Sequence, residues 1–423
     1  MEKDRRRMLG VSPYPLGEKS VSGVAANLLT ITEELKMSKG YDVTLVGPSI
    51  SDDRNLADET LGIPFPIGIK MSRTSYRPGV SLNFLRAREI IKIANPDLVW
   101  FHDPYAAFLN TMVLLSVIDG KRTARDPLFH SYISEFTLAN KIYIDWGIGL
   151  GIRNFTRNRL DGRAAVAPPP AKMWSMINNE DESLYDIIPN PIDTKLFSPD
   201  GEIFKDWINN GEIIILFVGR HDKRKGLPFL IDAFFERVRD DLMRKRKTDL
   251  RLKLTGYGDD TELIKRKVED LKIGHLVEFL GVISNEDLAK AYRTVAASNG
   301  TVVASSTDGE AHNRSISEAR ASGAKVVATN IDGHRFSYGD EKVFGEMAKP
   351  RDFRDLAQKI SDQLNLSQET TNFRREKGVL FVEKNFSVSE VAEKVVKHHE
   401  KVIKARLSGE KIIYRRKLKK RLF

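Results

Sequence analysis

Short, unbroken apolar runs alternate along this chain with segments whose apolar positions recur every three or four residues. Runs of the first kind suit strands buried on both faces, and segments of the second kind suit helices laid on a sheet. In the first half the pattern predicts strands at residues 7–11, 42–47, 97–101, 164–167 and 186–189, with helices at 23–38, 82–94 and 138–159. In the second half it predicts strands at 213–218, 251–255, 277–280, 301–304 and 325–328, with helices at 227–239, 260–271, 285–294 and 313–322. Strand and helix taking turns in this way predicts an α/β fold of two doubly wound, Rossmann-like parallel-sheet domains in tandem.

The string Pro189-Asn190-Pro191-Ile192-Asp193 separates the two series and is rich in residues that break regular structure. The expected organisation is therefore a first domain at 1–190, a linker at 191–203 and a second domain at 204–385. Ser387-Val388-Ser389-Glu390 has the form of a capping box, and apolar residues follow at helical spacing, so a closing helix is expected at 386–406 and a basic tail at 407–423.

Composition narrows the class. Of 423 residues, 41% are hydrophobic and 30% charged, enough to bury cores and stay in solution. No apolar run approaches the ~18–20 residues that span a bilayer. The first residues, Met1-Glu2-Lys3-Asp4-Arg5-Arg6-Arg7, show no secretory signal pattern, and there is no cysteine for disulfides, thiolate metal sites or thiol chemistry. A cytoplasmic setting is the expectation. The formal net charge is +10, but residues 404–423 hold nine basic side chains and one acidic one, which leaves about +2 for everything else. The basic character belongs to the tail, so nucleic acid is not an expected partner. The tail mixes bases with Ile412, Ile413, Leu418, Leu422 and Phe423, a composition suited to an anionic membrane surface.

Candidate chemistry gathers at strand ends. Glu310 falls in a turn after the run 301–304, and Glu318 falls eight residues later in a helical segment. Eight helical residues advance about 12 Å. That span suits a ligand with hydroxyls at both ends and a diphosphate between them, and a helix start offers free N–H groups to phosphate oxygens. A nucleotide-sugar is such a ligand. Gly219-Arg220-His221-Asp222-Lys223-Arg224-Lys225-Gly226 follows the strand at 213–218 and opens a helix. Two cations there, Arg220 and Lys225, suit the negative charge that grows on a departing diphosphate. Further candidates are the loop ending at Ser22-Gly23, the strand end Trp100-Phe101-His102-Asp103, the turn Gly256-Tyr257-Gly258 and the turn Leu280-Gly281-Val282-Ile283. One His-Asp pair without further spaced ligands is poor support for a metal.

Glu310 and Glu318 with seven residues between, followed by Glu-Ala-x-Ala-x-Gly-x-x-Val-Val-Ala-Thr, resemble the signature of glycosyltransferase family 4, the retaining GT-B-fold sugar transferases. The Gly-Arg-x-x-x-x-Lys-Gly frame, Gly256-x-Gly258 and the Pro-Asn-Pro linker are similar to that family in the same order. The resemblance implies a metal-independent transfer of a sugar from a UDP- or GDP-linked donor to a hydroxyl on a glycan or lipid-linked acceptor, without a cofactor. It implies that Glu310 holds sugar hydroxyls and Glu318 the ribose, and that Arg220 and Lys225 stabilise the leaving diphosphate. Gly23 and His102 complete the site from the other domain. Gly219, Gly256, Gly258 and Val282 line the nucleotide pocket.

The chain departs from the family pattern between the glutamates, where Ala311-His312-Asn313 replaces Gly-Phe-Gly. Asn tolerates positive φ, so Asn313 is expected to preserve the turn. His312 and Arg314 bring polar groups either to the donor or to solvent. Two other readings stand beside transfer: a different GT-B enzyme, such as an epimerase or a phosphorylase, and a non-catalytic protein that binds sugar nucleotides or nucleic acid.

Overall fold

The computed structural model describes residues 5–11, 23–48, 60–63, 95–101, 128–133, 161–209, 211–243 and 249–408 of the chain. The helices expected at 82–94 and 138–159 lie outside the described residues, as do Gly17, Ser22, His102, Asp103 and the basic run from Lys411. The chain divides into two compact units, Met1–Pro191 with Val391–Phe423, and Ile192–Glu390.

In the first unit the described elements are β1 (Arg6–Val11), α1 (Gly23–Ser38), β2 (Tyr41–Pro48), β3 (Thr60–Ile63), β4 (Leu98–Phe101), β5 (Leu128–Ile133), β6 (Gly162–Ala165), α2 (Pro168–Asn178) and β7 (Tyr185–Ile187). Their strands form a parallel sheet in the order β3-β2-β1-β4-β5-β6-β7. Met8 of β1 lies beside Val43 on one side and Leu98 on the other. Two strands, β3 and β5, and the helix α2 are additions to the sequence pattern. Helix α2 opens on Pro168-Pro169-Pro170, where the missing N–H groups cost nothing because the first helical turn has no partner for them.

The second unit runs β8 (Ile213–Val218), α3 (Leu227–Met243), β9 (Leu250–Thr255), α4 (Thr261–Asp270), β10 (Val277–Gly281), α5 (Asn285–Ala297), β11 (Thr301–Ala304), α6 (Arg314–Ala321), β12 (Lys325–Ala328), α7 (Asp332–Tyr338), α8 (Glu341–Phe344), α9 (Phe353–Leu364) and α10 (Gln368–Phe386). The strands are parallel in the order β10-β9-β8-β11-β12. Alternate residues feed two separate cores. Ile215, Phe217, Val303 and Val327 pack with Leu230, Phe234, Ile264 and Ile360 from α3, α4 and α9. Ile214, Leu216, Val302 and Val326 pack with Tyr292, Val295, Ile316 and Val382 from α5, α6 and α10. Both faces are covered, which is why the strand 213–218 is written as an unbroken apolar run and not as an alternation. The unit closes on itself where Ile192 N donates to Phe386 O at 2.7 Å.

Basic side chains finish several helices of this unit. Arg375 donates to Ala296 O near the end of α5 and to Gly323 O just beyond α6. Arg374 donates to Phe344 O, Arg320 to Tyr338 O and Lys325 to Gln363 O, each at a helix carboxyl end. Cations placed there satisfy orphan carbonyls and oppose the negative pole of the helix.

The last helix, α11 (Val388–Leu407), starts where Ser387 Oγ accepts from Glu390 N at 3.4 Å, and from Val391 onward it belongs to the first unit. Within that unit Lys39 meets Glu393, Tyr41 Oη meets His399 Nδ1 at 3.1 Å, and Asp186 holds both His398 and Lys401 at 2.7 Å. Burial pushes the His399 imidazole well below its ordinary value, with His398 and Arg6 adding to the effect. That ring is a neutral part of the core.

Candidate active site

β8 and β11 are neighbours at the point where the second sheet reverses its strand order. Doubly wound sheets take ligands at the carboxyl ends of such a strand pair. The loop leaving β8 is shaped by its glycines and by Asp222. Asp222 Oδ1 accepts from the backbone N–H groups of Arg224 and Lys225, fixing one tight turn at Lys223–Lys225. Gly226 then takes φ 64°, and a Cβ there would lie 2.1 Å from Ser305 O. This close approach lets the two loops bond: Thr307 N donates to Arg224 O at 2.7 Å and Ser305 Oγ to Lys225 O at 2.8 Å.

The stitching brings Lys225 to Glu310. Lys225 Nζ stands 2.6 Å from Glu310 Oε1, with side-chain exposures of 18% and 15%. Ser306 Oγ adds a hydrogen bond to the same oxygen at 3.1 Å. Burial alone would raise the Glu310 pKa, but the Lys225 charge, helped by His334 and the hydrogen bonds, wins and holds it at about 2. Glu310 is thus an acceptor only, suited to hydroxyl donors, and far too weak a base to take a proton from an alcohol. Lys225 presents further N–H donors on the same group.

The remaining cation, Arg220, is 61% exposed and rests on Asp222 Oδ2 at 3.0 Å. Its loop is backed by the β9 turn. A Cβ on Gly256, which has φ 100°, would stand 2.0 Å from Gly219 O, and one on Gly258 would stand 2.5 Å from His221 O. His221 itself is buried, bonded to Thr261 Oγ1 at 3.0 Å, and ties this turn to the start of α4. Val282, at the end of β10, is exposed.

Glu318 sits one turn into α6 and is 5% exposed. Tyr292 Oη donates to Oε2 at 3.2 Å, and Arg314 Nε donates to Oε1 at 3.1 Å. The pairing of Arg314 with Glu318 is the i,i+4 contact that a helix offers. The structure therefore gives Arg314 a definite partner where the sequence left donor and solvent open.

Two expectations for the segment between the glutamates change. Asn313 has φ −82° as the residue before α6, so it does not supply the positive φ of this turn; Gly309 does, at φ 72°. His312 is not a solvated group. It is 6% exposed, with ring centroids 4.6 Å from Phe386 and 5.4 Å from Phe336, and its Nε2 is 3.2 Å from Ser317 Oγ.

The structure also adds residues that the sequence did not suggest. Gly333 packs against the backbone of Glu310, where a Cβ would stand 2.0 Å from Glu310 O. His334 and Ser337 reach Asn313, and Thr329 Oγ1 donates to Ser306 O. Two of these leave a trace in the sequence: Thr329 as the last residue of the motif that begins at Glu318, and Gly333 as a glycine soon after the strand at 325–328. Gly23 is the first residue of α1, in the other unit, and His102 lies outside the described residues. Among the described residues no group of three or more His, Asp or Glu side chains could hold a metal ion.

Residues 200–378 match the family model described as Glycosyl transferases group 1. That span contains Arg220, Lys225, Glu310 and Glu318. The chain is 26% identical over 318 residues to a phosphatidyl-myo-inositol mannosyltransferase of Mycolicibacterium smegmatis, covering 74% of each chain. The crystal structure of Anabaena Alr3699/HepE in complex with UDP superposes with a TM-score of 0.70 at 14% identity, covering 93% of this chain and all of that one. Sucrose-phosphate synthase from Thermosynechococcus elongatus gives a TM-score of 0.69 at 17% identity, covering 95% of this chain and all of that one. The fold is GT-B, with two Rossmann-like units. The family match and the mannosyltransferase likeness support a glycosyltransferase that uses a nucleotide-sugar.

Proposed function

We propose that this chain is a retaining glycosyltransferase, moving a hexosyl group from a nucleoside-diphosphate-sugar to a hydroxyl acceptor. The observation that carries this reading is the Lys225–Glu310 pair at the strand-order reversal of the second unit. Glu310, ionised at any working pH, accepts hydrogen bonds from the sugar hydroxyls. Lys225, beside it, meets the phosphate on the leaving side of the same bond, and Arg220 supplies a second cation from the same loop. Negative charge grows on the β-phosphate as the glycosidic bond breaks, and fixed cations favour that state over the ground state. Glu318 takes the ribose, with Arg314 and Tyr292 holding its carboxylate in place.

Retention of configuration is part of the same proposal. A carboxylate held near pKa 2 is not a general base. The departing phosphate, on the same face of the sugar, accepts the proton of the incoming hydroxyl. No metal and no cofactor enters the scheme.

For the acceptor, the likeness to phosphatidyl-myo-inositol mannosyltransferases favours a lipid-linked polyol, and the basic tail suits delivery to an anionic bilayer at the cytoplasmic face. Among the described residues no helix is long and apolar enough to cross a membrane. The donor nucleotide of this reading is UDP or GDP. A thermal-shift screen against UDP-, GDP- and ADP-sugars decides the base, since a ligand that binds the folded state raises its melting temperature. Product analysis by NMR then reads the anomeric configuration. No shift with any nucleotide, or a product of inverted configuration, sinks the proposal.

A further inference from the structure

We propose that Asn313 and His334 form a positioning pair for Glu310: their hydrogen bond clamps the segment 310–313 onto α7 and so holds the carboxylate against Lys225. The inference rests on the active-site reading above and names residues that act through Glu310.

The segment from Glu310 to Asn313 has no regular structure, and Gly309 just before it, at φ 72°, lets the chain turn freely. Three contacts with α7 remove that freedom. Gly333 lies flat against the Glu310 carbonyl, Asn313 N donates to Ser337 Oγ at 2.8 Å, and the Asn313 side chain meets His334 Nε2 at 2.8 Å. The first two hold the backbone. The third is a side-chain contact made by two groups of specific chemistry.

Its polarity is fixed from both ends. His334 Nδ1 lies 3.0 Å from Thr329 O, which only accepts, so the ring proton is on Nδ1 and Nε2 carries a lone pair. Asn313 Oδ1 receives the Ser315 hydroxyl at 2.7 Å, so Nδ2 is the atom that faces His334 and donates to it. The bond needs a neutral imidazole. Burial supplies this, pushing the ring down to about 4 against the opposing pull of the Glu310 charge. His334 has no exposed surface and Asn313 has 6%. A buried apolar residue at 334 would fill the space but leave the Asn313 amide unpaired, which is costly. The same network reaches Glu310 from its other side, because Thr329 bonds both His334 and Ser306 O, and Ser306 Oγ bonds Glu310.

The test compares His334→Leu, which removes the acceptor, with His334→Gln, which can restore one, and with Asn313→Ala, which removes the donor. Trace acetylation of Lys225, mapped by mass spectrometry, reports how firmly Glu310 holds that amine, whatever the chain transfers. The expected result is acetylation about fivefold faster in His334→Leu and Asn313→Ala, the worth of one buried hydrogen bond, and near the unaltered rate in His334→Gln. The double variant should be no faster than either single one. Transfer assays should show kcat falling with the same pattern while donor KM changes little. Unchanged Lys225 reactivity in folded His334→Leu and Asn313→Ala overturns the positioning role, as does equal damage from His334→Gln. Faster acetylation in a chain that transfers no sugar upholds the clamp and counts against the glycosyltransferase reading instead. If His334→Leu does not fold, Asn313→Ala alone decides.

Discussion

Lys225 Nζ and Glu310 Oε1 lie 2.6 Å apart although 85 residues separate them in the chain. The contact joins the loops after β8 and β11, and it sets both the charge of the carboxylate and the place of the cation. Removing the cation therefore has two readable effects. Lys225→Met should lower kcat by at least ~100-fold, because a fixed charge facing the leaving group is worth roughly 3 kcal/mol. The same variant should be less stable at neutral pH, since it leaves Glu310 largely buried and without its ion pair. Steady-state kinetics and urea unfolding check the two effects separately. A Lys225→Met enzyme with normal kcat removes Lys225 from the chemistry.

The acid limb of stability follows from Glu310. Its pKa is lowered from 4.5 to about 2 in the folded chain. The contribution is present in full above the unfolded value and is lost as pH falls from about 4.5 through about 2. It is worth on the order of 3 kcal/mol at neutral pH. Unfolding free energies of the unaltered chain and Glu310→Gln should therefore differ most near pH 7 and draw together only as pH falls through about 2. Parallel curves across that range would falsify the assignment.

Lys325 predicts a slope of the same sign, now on the alkaline side. Burial, with Arg375 and Arg374 close by, holds its pKa at about 8 against an ordinary 10.5. Between these values the unfolded chain binds more protons than the folded one, so this group makes stability rise with pH over that window. Its cost is present in full below about 8. Lys325→Met should flatten the slope between pH 8 and 10, measured by urea unfolding at fixed ionic strength. A slope that survives the substitution belongs to other groups.

Gly226 should be intolerant of even one carbon. Its φ is 64° and its Cβ would stand 2.1 Å from the Ser305 carbonyl. Gly211 has a similar φ, 75°, but open space around it. Gly211→Ala should cost about 1–2 kcal/mol, the strain of the left-handed conformation alone. Gly226→Ala should cost clearly more and should also slow turnover, because Lys225 is the preceding residue. Equal losses in the two variants would mean that the loops after β8 and β11 yield easily.

Glu318 should matter only when a nucleoside is present. Glu318→Gln is expected to weaken binding of a nucleoside diphosphate about tenfold, the value of one charge-assisted hydrogen bond, and to leave pyrophosphate binding unchanged. Titration calorimetry with both ligands reads the difference. Equal weakening would show that Glu318 holds α6 together and does not hold the ribose.

The second unit was legible almost strand by strand, and the reason is burial on both faces. Ile213 to Val218 is apolar throughout, and its structural bounds are those of the pattern. α10 was illegible because its buried positions are Thr371, Gly378, Val382 and Phe386, two of which carry no apolar signal. β3 and β5 were missed because Gly62 and the pair His130-Ser131 interrupt them. In the site, the frame around Arg220 and Lys225 and the spacing of the glutamates could be read directly. The Asn313–His334 contact could not, because neither its 21-residue separation nor a histidine after a turn glycine announces a bond. In Asn313 the residue type points to a backbone role, whereas the structure has its φ at −82° and its side chain on His334.

The division of the chain has a consequence for its birth on the ribosome. Ile192–Glu390 is one uninterrupted stretch, but the first unit needs Val391 onward, whose Glu393, His398, His399 and Lys401 meet Lys39, Asp186 and Tyr41. Residues made before 192 must therefore wait for those made after 390. The nascent chain should complete the sheet of its second unit while the first still lacks its final helix, inverting the usual order in which amino-terminal domains mature before those that follow.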